Sequence, residues 1–188
     1  RADEHEQLRS SARAFVEREV LPYADQWEAD GIIDREVFKK AGEAGLVGHY
    51  IPEEYGGAGI DDFRFNSVII EEMARAGSRA PGLTLQNDIV GPYLVNLCTD
   101  EQKQRWLPGI ADGTATYAFS ITEPDAGSNS HQITTTAYRT EDGGWRLTGT
   151  KTYISGVDEA SHVLVVARTE DARTGNLKPA LFMLPTDS

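Results

Sequence analysis

Cysteine is almost missing from this chain. One thiol, Cys98, among 188 residues cannot close an internal disulfide, which excludes a small secreted scaffold held by bridges. Cys98 lies in a largely apolar stretch and reads as a small core residue rather than a nucleophile. No apolar run approaches the ~20 residues needed to cross a bilayer. Basic residues are scarce: eighteen Lys and Arg against thirty Asp and Glu leave a net charge of −12, with no local basic patch to offset it. A surface of that sign repels nucleic acid and anionic lipid, so neither nucleic-acid binding nor stable membrane insertion is expected. The start, Arg1-Ala2-Asp3-Glu4-His5-Glu6, is too polar and acidic for an intact secretory signal.

Two kinds of catalytic apparatus are also lacking. His5, His49, His131 and His162 show neither i,i+4 spacing nor cysteine company, so no metal site is expected. Ser120 and Ser128 carry no nucleophile-elbow motif and do not read as hydrolytic. The paired acids Glu53/Glu54, Asp61/Asp62 and Glu71/Glu72 read as solvated faces or caps. A reducing cytoplasm or organelle matrix suits such a composition.

What is present is the make-up of an ordinary globule, 39 % hydrophobic and 26 % charged. The first part has helical period. Leu8, Ala12, Phe15 and Val16 recur at three- and four-residue steps, and Pro22 ends or kinks that helix. Tyr23 to Trp27 can continue as a short second helix. Asp34 is placed to cap a helix through Val37, Phe38 and Ala41, and Gly45 stands where a left-handed C-terminal cap belongs. The glycine-rich run Ile51 to Gly59 reads as a loop. Helical spacing returns at Phe65, Val68, Ile69, Glu72, Met73 and Ala76. It continues from Leu83 through Ile89, Val90, Leu94 and Leu97, a helix expected to be buried on more than one side. Thr99-Asp100-Glu101-Gln102 matches a capping box opening a helix with Trp106 and Leu107, which finishes near Asp112-Gly113.

After Gly113 the period changes to two. Thr116–Ser120, Ile133–Tyr138, Trp145–Thr148, Lys151–Ser155, His162–Ala167 and Leu181–Leu184 read as strands, with Glu141-Asp142-Gly143-Gly144 as a hairpin turn. The expected fold is α+β with two domains, residues 1–114 helical and residues 115–188 an antiparallel β-domain of barrel or sandwich type. Because the chain starts at Arg1 and stops just after a strand, both ends read as cut.

One segment stands out for chemistry: Tyr117-Ala118-Phe119-Ser120-Ile121-Thr122-Glu123-Pro124-Asp125-Ala126-Gly127-Ser128-Asn129-Ser130. A strand enters a tight loop, and Gly127 to Ser130 can aim several uncharged donors at one point, a means of holding phosphate without positive charge. Read alone, such a run is a plain turn more often than a site. About thirty residues on comes Lys151-Thr152-Tyr153-Ile154-Ser155.

Together, in this order, the two motifs resemble the acyl-CoA dehydrogenase family. The stretches Gly82 to Tyr93 and Glu101 to Pro108, and the Ile51-Pro52-Glu53-Glu54-Tyr55-Gly56-Gly57 loop, resemble its long-chain branch. The resemblance spans essentially the whole chain. It implies an N-terminal helical domain and most of a central β-domain, without the family's C-terminal four-helix bundle. It implies FAD as cofactor: Phe119, Ile121 and Thr122 lining the flavin ring, Gly127 and Ser128 meeting the pyrophosphate, Tyr153 and Ile154 packing beside the ring, and Ser155 near its N5 edge. Ser128 would also touch the pantetheine arm of the substrate. Tyr153 replaces the family's more usual tryptophan, and Asp125, Asn129 and Gly156-Val157 also depart from the common pattern.

The implied reaction is α,β-dehydrogenation of a fatty acyl-CoA, a glutamate taking the α-proton while a β-hydride passes to the flavin. Electron-transferring flavoprotein would reoxidise the cofactor. The family's base lies in the C-terminal bundle, beyond Ser188, so no catalytic residue is assigned, and Glu123 is expected to brace its loop. The resemblance further implies a homotetramer, cytoplasmic in a bacterium or in the mitochondrial matrix of a eukaryote. Two other readings fit these residues. One is an acyl-CoA oxidase of the same fold; the other is a non-catalytic acyl-CoA-binding or scaffolding subunit.

Overall fold

The computed structural model describes residues 2–75, 77 and 82–186. The chain divides into two compact units, Arg1–Thr116 and Tyr117–Ser188.

The first unit is helical. Helix α1 (Ala2–Phe15) runs into a π-helical turn at Val16–Val20, and Pro22 sits in the break before α2 (Ala24–Asp30). Ala12, Phe15, Val16 and Val20 are buried, the apolar stripe set by their spacing. Helix α3 (Glu36–Glu43) starts where the Asp34 carboxylate accepts the Glu36 N–H at 3.0 Å. It stops at Gly45, whose φ of +69° an L side chain would resist. Helix α4 (Phe63–Arg75) buries Val68, Ile69, Glu72 and Met73; Ala76, expected on the same face, lies outside the described residues.

Glu72 corrects the reading of the paired acids as solvated faces. It is 1 % exposed, and its carboxylate accepts from Arg9 at 3.0 Å and from Arg13 at 3.0 and 3.1 Å, with Arg75 at 3.4 Å. The Arg13 guanidinium, helped by Arg9, holds the acid below the usual carboxylate range against the opposing pull of burial. Arg9 and Arg13 stand one helical turn apart, so a single carboxylate on α4 can clamp α1.

A second π-helical segment, Leu85–Val90, leads into α5 (Gly91–Leu97). Leu83, Val90 and Leu94 are buried, but Ile89, Tyr93 and Leu97 are exposed. Their four-residue spacing puts them along one side of the helix, so the run is buried on one side only, not on several. Side-chain amides pin the π-segment. Asn87 accepts the Gly48 N–H and donates to the Leu46 carbonyl, each at 2.9 Å, and Tyr50 donates to the Gln86 carbonyl at 2.8 Å. Buried His49 sets its Nε2 2.8 Å from Asn66 Oδ1. Cys98 ends α5 half-buried, not in the core. Helix α6 (Asp100–Ala111) opens on the capping box, both Thr99–Gln102 bonds being made.

Among the described residues, the second unit is one sheet of five strands: β1 (Tyr117–Ser120), β2 (Thr136–Arg139), β3 (Trp145–Thr148), β4 (His162–Glu170) and β5 (Leu177–Pro185). The long β4 is its spine. Antiparallel β5 covers one edge along its whole length. The other edge takes β1 over His162–Val165 and then β2 at Arg168, both parallel to β4. The sheet is therefore mixed rather than purely antiparallel. Hydrophobic alternation marks a strand but not its partner's direction, and a connection of some forty residues between β1 and β4 leaves room for the crossover that parallel pairing needs. The β2–β3 hairpin closes at the expected turn. Lys151–Ser155 corrects the strand list: it belongs to no strand, because Tyr153 adopts a left-handed φ of +57° that no extended ladder accommodates.

Candidate functional site

Both sequence motifs lie in the second unit, and hydrogen bonds join them at the root. β1 carries the chain into Ile121-Thr122-Glu123. The 151–155 segment runs beside it: Thr152 donates its N–H to the Thr122 carbonyl at 3.0 Å, and the Lys151 ammonium donates to the Ile121 carbonyl at 2.9 Å. Pro124 and Asp125 then reverse the chain inside a bridge between Glu123 and Ala126, whose N–H groups donate to each other's carbonyls at 2.9 and 3.2 Å.

Gly127, Ser128, Asn129 and Ser130 leave that turn exposed. Asn129 Oδ1 accepts the His131 N–H at 3.3 Å, opening a 3-10 turn at Ser130–Gln132. Among the described residues, the N–H groups of residues 127–130 donate to no protein acceptor, so they are available to an anion. Gly127 does not need to be glycine for the fold. Its φ lies outside the left-handed region, and a Cβ built on it meets no atom within 4 Å. The missing side chain leaves open space beside the backbone donors.

Tyr153 is the one non-glycine residue with positive φ among the described residues, and it is 90 % exposed. The left-handed conformation costs an L residue about 1–2 kcal/mol, and no packing offsets it. A large aromatic held in that state in solvent is a displayed group, not a core one. Phe119 and Ile121 are half-buried, packed on the cluster of Ala126, Ile133 and Val166 beside Leu181. Thr122 and Ile154 are also half-buried, whereas Ser128 and Ser155 are exposed.

Beneath the loops lies a buried charge. Glu123, 4 % exposed, accepts from the Thr134 N–H at 2.8 Å, the Thr134 hydroxyl at 2.7 Å, the Thr135 N–H at 2.9 Å and the Thr135 hydroxyl, and from the Lys151 ammonium at 3.0 Å. Burial alone would push its pKa up, but these donors outweigh burial and hold the carboxyl well below the usual range. A carboxylate so saturated and so acidic cannot act as a general base near neutral pH; it braces the loop. Lys151, Thr134 and Thr135 were not singled out as site residues. The signal was a run of three threonines, Thr134-Thr135-Thr136, eleven residues after a lone glutamate in an apolar strand exit.

Comparison with known proteins follows the same division of the chain. The family model for the acyl-CoA dehydrogenase N-terminal domain matches residues 2–114, and that for the middle domain matches residues 118–188. The acyl-CoA dehydrogenase FadE12 of Mycobacterium tuberculosis is 52 % identical over 153 residues, covering 81 % of this chain and 39 % of that protein. The mitochondrial long-chain specific acyl-CoA dehydrogenase of Rattus norvegicus is 38 % identical over 184 residues, covering 97 % of this chain and 42 % of that one. Among solved structures, an acyl-CoA dehydrogenase complexed with FAD from Bacillus anthracis superposes with a TM-score of 0.87 at 31 % identity, over 98 % of this chain and 31 % of that chain. The chain thus spans less than half the length of each.

Proposed function

The chain belongs to the acyl-CoA dehydrogenase family, and from that premise we propose that it forms the flavin- and CoA-contacting part of an enzyme that dehydrogenates fatty acyl-CoA thioesters to trans-2-enoyl-CoA. Residues 1–114 are its N-terminal domain and residues 115–188 its share of the central β-domain.

The observation that carries this reading is the pairing of an uncharged donor loop with a displayed aromatic ring, joined at Thr122 and Thr152. The residues present suit FAD. Open space beside Gly127 lets a diphosphate approach N–H groups that the protein leaves unused, and an exposed Tyr153 offers a flat face to a flavin ring. When bound, FAD supplies the oxidising chemistry, taking up two electrons from the acyl chain. The chain's own part is binding and orientation. Gly127 and Ser128 hold the pyrophosphate through N–H and hydroxyl groups, and Ser128 also meets the pantetheine arm. Phe119, Ile121, Tyr153 and Ile154 pack about the ring and exclude water from it. The Thr122 backbone or hydroxyl and the Ser155 hydroxyl bond its polar edge. No catalytic base is assigned within residues 1–188, Glu123 being committed to its five donors. Electron-transferring flavoprotein is the proposed electron acceptor, the enzyme a homotetramer, and its location the bacterial cytoplasm or the mitochondrial matrix.

The test is anaerobic addition of saturated acyl-CoA, from short to long chains, to the full-length protein purified with its flavin. Loss of the visible flavin band with at least one chain length supports the reading. A band unchanged across the series refutes it.

A further inference from the structure

We propose that Lys151 and Glu123 are positioning residues, whose buried ion pair sets the 151–155 segment against the 121–126 loop and so fixes where Tyr153 is displayed. This rests on the flavin reading above for its consequence but not for its geometry.

Lys151 is an unusual lysine. Its side chain is only 12 % exposed and its partner's 4 %, whereas lysine normally keeps its ammonium in water. Here the ammonium finds two acceptors on the neighbouring loop, the Ile121 carbonyl at 2.9 Å and Glu123 Oε1 at 3.0 Å. Glu123 is in turn fixed by Thr134 and Thr135, where the chain enters β2. A buried pair of this kind is a poor way to gain stability, since well-packed apolar groups hold two segments together as firmly. What directional bonds to one ammonium do well is to specify a single arrangement.

That arrangement matters two residues on. An exposed ring at a φ of +57° has no packing of its own to keep it strained, so the segment must be tied on both sides. The downstream tie is the turn at Gly156, whose carbonyl accepts the Ala160 N–H at 3.1 Å. The upstream tie is Lys151 with the Thr152–Thr122 bond. Without Lys151 the upstream tie reduces to one hydrogen bond, and Tyr153 relaxes to an ordinary backbone conformation with its ring turned elsewhere. Lys151 therefore acts through Tyr153.

The experiment uses full-length apoprotein titrated with FAD, for the wild type, Lys151→Met, Lys151→Arg, Tyr153→Ala and the Lys151→Met/Tyr153→Ala double variant. Amide hydrogen exchange is followed over residues 151–156 in the absence of FAD. The Lys151→Met change is expected to weaken FAD binding about tenfold and to speed exchange at Thr152 and Tyr153 by a similar factor, with Lys151→Arg restoring most of both. In the Tyr153→Ala background, Lys151→Met adds less than twofold, because the group through which it acts is gone. A merely structural lysine would multiply with Tyr153→Ala, and full multiplication overturns the proposal. So does unchanged FAD affinity in Lys151→Met. If the wild type binds no FAD, the flavin reading fails by itself, and the exchange data decide the tether: faster exchange upholds it, unchanged exchange overturns it. Should Lys151→Met not fold, Lys151→Gln, which keeps a donor for Ile121 but drops the charge, carries the same readings.

Discussion

Replacing Gly127 with valine separates the needs of the fold from those of the site. A Cβ at this position meets nothing within 4 Å, and the backbone is not left-handed, so the branch point of a valine sits in open space. Gly substitutions at compatible positions change stability through the unfolded chain, by about 0.4–1 kcal/mol in the stabilising direction. The apoprotein should therefore melt at the wild-type temperature or slightly above it. Binding should respond differently. The branched side chain fills the space through which a diphosphate reaches the N–H groups of residues 127–130, and each charge-assisted hydrogen bond lost is worth about 1.5–3 kcal/mol. Two such bonds amount to at least a hundredfold loss of FAD affinity. Calorimetric titration of apoprotein with FAD, beside a thermal melt without it, reads both quantities. Wild-type FAD affinity in a Gly127→Val protein would refute the phosphate-cradle reasoning. A strongly lowered apoprotein melting temperature would refute the claim that this glycine serves a ligand rather than the fold.

Tyr153→Gly should relieve left-handed strain and raise apoprotein stability by about 1 kcal/mol, while weakening FAD binding and shifting the flavin absorption band; a stability loss in denaturant titration would contradict the account of Tyr153. Glu123→Gln should cost about 3–5 kcal/mol at pH 7 by leaving the Lys151 ammonium without its charge partner. Because burial of Glu123 is outweighed by its donors and its folded pKa is depressed, the acid's contribution is full above the unfolded pKa of about 4.3 and fades as pH falls below it. The gap between wild type and variant should therefore shrink below about pH 4, and a pH-independent gap in urea titrations would contradict this. Glu72→Ala, which takes from Arg13 its carboxylate partner and leaves Arg9 with Glu71 and Glu6, should lower stability by about 1–3 kcal/mol with flavin content per folded molecule unchanged.

The parts of the fold legible in the sequence were those set by local chemistry. Thr99 and Gln102 make both capping bonds because a capping box needs only residues three apart, and Gly45 takes the left-handed cap that ended α3 on paper. What the pattern hid depends on groups far apart in the chain. Lys151-Thr152-Tyr153-Ile154-Ser155 is rich in strand formers, yet bonds from Lys151 and Thr152 to a loop thirty residues earlier override that preference. Glu72 looked solvated because two of its three arginine partners, Arg9 and Arg13, sit some sixty residues away on α1. The stretch from Leu83 reads as helix, but nothing in its spacing distinguishes the π-helical turn at Leu85–Val90 from an α-helix, since that turn is held by the Asn87 and Tyr50 side chains bonding to and from distant backbone. Parallel pairing of β1 and β2 with β4 was equally invisible, since alternation records burial and not partner or direction.

Site-resolved amide hydrogen exchange of the full-length protein, with and without FAD, reaches the phosphate contact most directly. If the N–H groups of Gly127, Ser128, Asn129 and Ser130 grip the diphosphate, their exchange slows by at least tenfold when FAD is bound. Tight FAD binding with exchange at these four amides unaltered would contradict it.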